Sequence, residues 1–267
     1  MKATTACFAG QPKLFGIEYQ NLPDRPDPAA LMQYELADNE DLLIRHAHWR
    51  EQAMTEIEIK QALLAAAKEM INCGLVEGTA GNISARLPDG NVVLTPSSMD
   101  YQAMTLDDLV VTDLAGNVLA GDKMPTTEKS LHLACLRKHR DIGAVMHCHA
   151  LFATMFAIVR QPIPCVIEEF DVYVGGDIEV ADYRLTGSEE LAEEVSNRVA
   201  DKGAVLMANH GLLCVGKHPA DVLKVAKLVE RTAKIIWGAR LLGTPVPLPD
   251  ATLQQFAPLY KLIGRIQ

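Results

Sequence analysis

The run Ala144-Val145-Met146-His147-Cys148-His149-Ala150 places the narrowest limit on how this chain can fold. Its apolar, β-compatible residues predict a strand over Gly143–His149, and successive side chains of a strand alternate between its two faces. His147 and His149 therefore share one face and Cys148 takes the other. Two imidazoles held side by side in an apolar setting need hydrogen-bond partners or a common ligand, because a buried polar group without either is costly.

The rest of the chain alternates helices with short strands. Residues 1 to about 35 read as irregular, broken by Pro12, Pro23, Pro26 and Pro28, and Asp38 to Glu51 carries only a weak helical pattern. Thr55 and Glu58 form a capping box that opens a helix. Ile57, Leu63, Leu64, Ala67 and Met70 recur at helical spacing behind it, and Gly74 supplies the stop. Gly78–Arg86 reads as a glycine-containing loop running into a strand, Asn91–Thr95 as a second strand, and Leu109–Leu119 as a hairpin turning over Asp113–Asn117. Helices are predicted from Glu128 to Lys138, over Leu151–Val159, and after the capping Ser188. Ala204–Val215 is β-rich and broken at His210-Gly211. A long helix starts at Pro219, which suits a first turn, and runs to Leu242. Pro245, Pro247 and Pro249 then end regular structure. This mixture implies a layered α/β/α or α+β domain.

Composition excludes several functions. Lys and Arg number 25 against 34 Asp and Glu, a formal charge of −9, which argues against a nucleic-acid surface because that needs a basic footprint. A hydrophobic share of 49% supports a sizeable core. No run approaches the roughly 20 apolar residues of a membrane span, and Met1–Leu14 lacks the charged-then-apolar order of a signal peptide. Cys7, Cys73, Cys135, Cys148, Cys165 and Cys214 show no CxxC spacing and read as reduced thiols. A cytoplasmic protein is expected.

Two constellations carry chemistry. His210, in Ala208-Asn209-His210-Gly211, lies in a second apolar β-type run, and Glu128 stands at the start of a helix. With His147 and His149 they compose three imidazoles and a carboxylate, a catalytic rather than a structural metal set. The competing reading is of core histidines with satisfied hydrogen bonds. His46-Ala47-His48 repeats the spacing in a charged, helical-looking segment, where i and i+2 diverge, and reads as surface. The second constellation is an anion cradle of three polar loops, Gly81-Asn82, Ser97-Ser98 and Thr126-Thr127, the last preceding a helix whose N-terminus favours negative charge. Taken singly each loop is a turn or a cap, with Thr127 as a plain N-cap.

The ordered series GTAGNISAR, TPSS, MPTTEKSLH, AVMHCHA and ANHGLL resembles the class II aldolase/adducin family, and within it the fuculose-phosphate aldolase branch. The resemblance spans about Ile57 to Pro249. It implies an N-terminal extension over 1–54, one catalytic domain over 55–249 and a C-terminal tail over 250–267. The implied fold is a three-layer α/β/α domain with a mostly antiparallel central sheet, assembled as a homotetramer. His147, His149 and His210 match the family's metal ligands, zinc as a rule, although histidine sites also take manganese or cobalt. Glu128 matches the carboxylate that ligates the resting metal and then serves as acid and base, a role for which a closed pocket would raise its pKa. Asn82, Ser98, Thr126 and Thr127 match the phosphate-binding loops, with Gly81 and Ser97 beside them. The implied reaction cleaves a phosphorylated sugar, a ketose 1-phosphate, to dihydroxyacetone phosphate and an aldehyde through a metal-stabilised enediolate. Related members decarboxylate or epimerise, and the adducin-like domains, which lack the histidines, only assemble. The branch's tyrosine, which protonates the aldehyde from a neighbouring subunit, is replaced here. Glu169 aligns best with it, within Ile167-Glu168-Glu169-Phe170, and Tyr173 lies four residues on. Tyr260 corresponds to a C-terminal tyrosine that closes the site.

Overall fold

The computed structural model describes the backbone of residues 54–263 and the side chains of residues 54–260. The helical pattern at Asp38–Glu51 and the His46–His48 pair lie outside the described residues. Thr55 caps the first helix, α1 (Glu56–Asn72), accepting from Glu58 N while the Glu58 carboxylate takes Thr55 N at 2.8 Å. Its buried face is Ile59, Leu63, Ala66, Ala67 and Met70. Ile57 is half exposed, contrary to expectation, because it lies two positions before Ile59, on the far side of the helix.

Four strands then form a meander. They are β1 (Asn82–Arg86), β2 (Val92–Leu94), β3 (Val110–Thr112) and β4 (Val118–Ala120), with a 3₁₀ turn at Leu106–Asp108. The β3–β4 turn closes as its sequence directs, Asp113 accepting from Asn117 N at 2.9 Å and from its side chain at 2.8 Å. Next come α2 (Lys129–Lys138), β5 (Ala144–Cys148), α3 (Leu151–Val159), α4 (Glu168–Val174), β6 (Val180–Ala181), α5 (Glu189–Arg198), β7 (Ala204–Met207), β8 (Gly211–Gly216) and α6 (Pro219–Leu242). Ser188 caps α5 by accepting from Leu191 N at 3.1 Å.

Two α-helices go beyond the sequence reading. Asp250–Ile263, expected to lack regular structure, is a helix, α7, that carries Pro258 in its interior. The three prolines before it break the chain but do not prevent a new helix. α4 is only seven residues long, too short for its periodicity to show against Glu168, Glu169 and Asp171.

The eight strands make one sheet in the order β4-β3-β2-β1-β5-β8-β7-β6, antiparallel throughout except for the β6–β7 pair. Alternation splits the apolar residues between two layers. Ala144, Met146 and Cys148 of β5, with Leu212 and Cys214 of β8, face a core shared with α1, α3 and α6. Val145, Leu213 and Val215 face a second core with Leu131, Leu133 and Leu136 of α2 and Leu191 and Val195 of α5. The fold is therefore α/β/α with a mostly antiparallel sheet, as the resemblance implied. Odd-numbered residues of β5 point at the α2 side, and this parity decides where the histidines go.

Candidate active site

His147 is fully buried near the end of β5, and His149 lies just past it, on the same side and exposed. Cys148 turns the other way, where burial pushes its thiol up to about 12. His210 arrives from the β7–β8 turn, whose Asn209 takes a left-handed φ of 54°, a conformation asparagine tolerates better than most residues. Asn209 is held by the Arg160 guanidinium, itself anchored to the carbonyls of Ala157 and Ile158 at 2.9 Å. One ligand-capable atom from each of the three histidines lies within 4.8 Å of the others.

Glu128 is the N-cap residue of α2, directly opposite. Its Oε2 is 3.4 Å from His147 Nε2 and its Oε1 is 3.3 Å from His210 Nε2. The donor set fits a cation. His147 Nδ1 gives its hydrogen to the Leu212 carbonyl at 3.0 Å, which leaves the Nε2 lone pair facing His149 Nε2 at 3.0 Å and the carboxylate. Glu128 Oε1 and His210 Nδ1 are buried without a hydrogen-bond partner among the described residues. Burial pushes the His147 pKa down to about 3 and lowers that of His210, so both present neutral imidazole at neutral pH.

The charge state of Glu128 differs from expectation. Burial works against its charge, yet His147, the Asn82 amide and His210 outweigh burial and hold the carboxyl below its ordinary value. Glu128 is buried, but the groups around it are polar.

The three loops also meet. Thr95 O accepts from Thr126 N at 3.2 Å, Met124 O accepts from Ser97 N at 2.9 Å, and Pro96 bridges Pro125. Tyr101 donates to Gly81 O at 2.5 Å. Gly81 has φ 74°, and a Cβ there would sit 2.8 Å from His147 O, so only glycine fits beside the ligand strand. Ser98 and Thr127 are exposed and Ser97 is half-buried at the rim. Thr126 is buried and accepts from Glu128 N at 3.3 Å, and Glu128, not Thr127, is the N-cap of α2. Asn82 is buried with both ends of its amide engaged inside the chain, on Glu128 and His132.

Residues 61–237 match the profile of the class II aldolase and adducin N-terminal domain. The chain belongs to the class II aldolase and adducin family. It is by class an aldolase-type enzyme, a carbon–carbon lyase, and class II aldolases depend on a metal that the histidine triad is able to hold. It is 31% identical over 207 residues to a 5-deoxy-D-ribulose 1-phosphate aldolase of Bacillus thuringiensis serovar kurstaki, covering 77% of this chain and 97% of that protein. It is 33% identical over 188 residues to a 3-oxo-tetronate 4-phosphate decarboxylase of Haemophilus influenzae, covering 69% and 89%. A solved L-fuculose 1-phosphate aldolase superposes with a TM-score of 0.73 at 33% identity, covering 79% of this chain and 99% of that one.

Within this family member, two residues singled out by alignment have partners on or beside α4. Glu169 lies on α4 and pairs with Arg231 of α6 at 2.5 Å. Tyr260, buried on α7, sets its ring against Gly175 at the end of α4. Conversely, His132 escaped notice, although its spacing from Glu128 is i, i+4, one face of a helix. It is fully buried, and burial pushes its pKa down to about 4. The sign of the linkage is set by that depression. The unfolded chain binds a proton near the ordinary 6.5 and the folded chain does not, so this stability is present above 6.5 and lost as pH falls towards 4. Wild-type protein is expected to lose roughly 2 kcal/mol between pH 6.5 and 5 from this group alone. Urea unfolding of wild type and His132→Gln at pH 7 and pH 5 reads it as the difference. Equal losses in the two proteins would refute it.

Proposed function

We propose that this chain cleaves a ketose 1-phosphate of the L-fuculose-1-phosphate type to dihydroxyacetone phosphate and an aldehyde. The convergence of His147, His149 and His210 opposite Glu128 carries the reading, because neutral imidazoles and one carboxylate suit a catalytic cation and serve no packing purpose. These four side chains would hold the metal, zinc by preference and manganese or cobalt as alternatives. When bound, such a cation supplies Lewis-acid polarisation of the substrate carbonyl and neutralises charge that develops as the carbon–carbon bond breaks.

The chain's own groups supply the remainder. Glu128 Oε2 is fixed by Asn82, while Oε1 makes no hydrogen bond among the described residues and is the atom placed to exchange a proton with substrate. Gly81, Ser97, Ser98 and Thr127 sit at or near the rim where the three loops meet and are the proposed phosphate contacts, with Asn82 and Thr126 buttressing them from below. Neutral donors at such a rim hold a phosphate without lysine, which reconciles an anionic substrate with a charge of −9.

A homotetramer is proposed, supported by the exposed apolar face of α3, which presents Leu151, Met155, Ile158 and Val159 to solvent. Glu169 would then serve as acid at a neighbouring copy's site. The cytoplasm is the proposed compartment, supported by free thiols at Cys73, Cys148, Cys165 and Cys214. In this proposal residues 1–54 are an extension, 55–249 the catalytic domain and 250–267 a tail, which is largely α7.

A panel of ketose 1-phosphates with added zinc, manganese or cobalt tests the activity. Release of dihydroxyacetone phosphate is expected. Its absence, with carbon dioxide released from a phosphorylated 3-oxo acid instead, would move the chain to the decarboxylase reading that the Haemophilus influenzae relative favours.

A further inference from the structure

A line of four hydrogen-bonded side chains runs through the layer between β1 and α2 and ends at Glu128. Ser84 Oγ is 2.8 Å from His132 Nδ1, and His132 Nε2 is 2.5 Å from Asn82 Oδ1. Asn82 Nδ2 donates to Glu128 Oε2 at 2.8 Å. Ser84 and His132 are wholly buried and Asn82 is 5% exposed. The match follows from two periodicities. Residues two apart on a strand share a face, and residues four apart on a helix share a face. Asn82 and Ser84 of β1 therefore meet Glu128 and His132 at the start of α2 in register.

The direction of every bond is determined by its end. A carboxylate only accepts, so the Asn82 amide must turn its NH₂ to Glu128 and its oxygen to His132. His132 must then carry its hydrogen on Nε2, and Nδ1 accepts from the Ser84 hydroxyl. Glu128 holds only the nitrogen end of that amide. The imidazole holds the amide from the opposite end, at its oxygen.

We propose that His132 is a positioning residue, which locks the Asn82 amide so that Glu128 keeps Oε2 occupied and Oε1 turned to His210. The inference rests on reading Glu128 with the three histidines as the metal-holding set. It concerns no group that touches substrate. Without His132, the buried amide oxygen has no partner, the amide rotates, and the carboxylate loses the donor that fixes its plane.

Zinc affinity of metal-free, full-length protein, measured by chelator competition, tests this without any substrate. His132→Leu is expected to weaken zinc binding by about 10- to 100-fold, the usual effect of losing a partner behind a ligand. His132→Gln, which carries an amide nitrogen near the place of Nε2, is expected to stay within about threefold of wild type by the same reasoning. In an Asn82→Ala background, His132→Leu should add almost nothing, because the two act in series. Ser84→Ala combined with His132→Leu removes the hydroxyl that leucine would strand, and should bind zinc as weakly as His132→Leu alone. Wild-type affinity in His132→Leu, equal weakness in His132→Gln, or a full additional loss in the Asn82→Ala background would each overturn the positioning role alone. Wild-type protein with no tight divalent site would overturn the reading of the site, and this inference with it.

Discussion

His147→Ala is expected to abolish stoichiometric binding of a divalent metal and to lower turnover by roughly a thousandfold, since a Lewis acid supplies several kcal/mol of barrier reduction. The size of the effect follows from where His147 stands. It is the one histidine of the three with no exposed surface, and the Leu212 carbonyl fixes its tautomer so that Nε2 is directed at both His149 and Glu128. Alanine removes that nitrogen and also lets the carboxylate relax, so two of four donors lose their placement. Elemental analysis and steady-state turnover check the two arms separately. A variant that unfolds cooperatively, retains one metal per chain and turns over normally would sink the metal reading of the site. Loss of metal with full turnover would sink only the role assigned to the metal in catalysis.

Much of this arrangement was legible before any coordinates, and the reason is that short-range geometry governed it. Period-two alternation in AVMHCHA put His147 and His149 on one face and Cys148 on the other. Capping chemistry located α1 and α5, and Pro219 located α6. What escaped depends on residues distant in sequence. The Glu128 carboxyl was expected to be raised by burial, and is lowered, because Asn82, 46 positions earlier, donates to it and two histidines face it. The partnership of Ser84 with His132 spans 48 positions and becomes visible only once β1 is laid against α2. Neither α4 nor α7 announced itself, the first because it is short and acidic, the second because Pro245, Pro247 and Pro249 just before it read as the end of regular structure. Glu169 illustrates a different limit. Alignment gave it a place in a motif, whereas its partner, Arg231, comes from a helix 62 residues away that the motif does not include.

The glycine behind the third histidine sets up the other large effect. Gly211 opens β8 beneath the rings, and a Cβ on it would lie 2.6 Å from Cys148 O, 3.2 Å from His149 Cδ2 and 3.3 Å from His147 Cε1. Its φ is not in the left-handed region, so backbone preference has no part in the requirement, which is one of space. The nearest atom is a backbone carbonyl of the ligand strand and cannot swing aside as a side-chain tip would. Gly211→Ala therefore has to push β5 and β8 apart at the point where two ligands are held, and overpacking of this kind costs about 1–3 kcal/mol. Metal affinity should fall together with stability, because the displacement moves His147 and His149 relative to His210. Gly238, which has open space around its Cβ position, provides the contrast. Gly238→Ala lies inside α6 and should stabilise the protein by roughly 1 kcal/mol through helix propensity, leaving the site untouched. Thermal unfolding and zinc titration of the two variants side by side decide the matter. If Gly211→Ala binds zinc with wild-type affinity, close packing of β8 beneath the histidines is not what holds them in place.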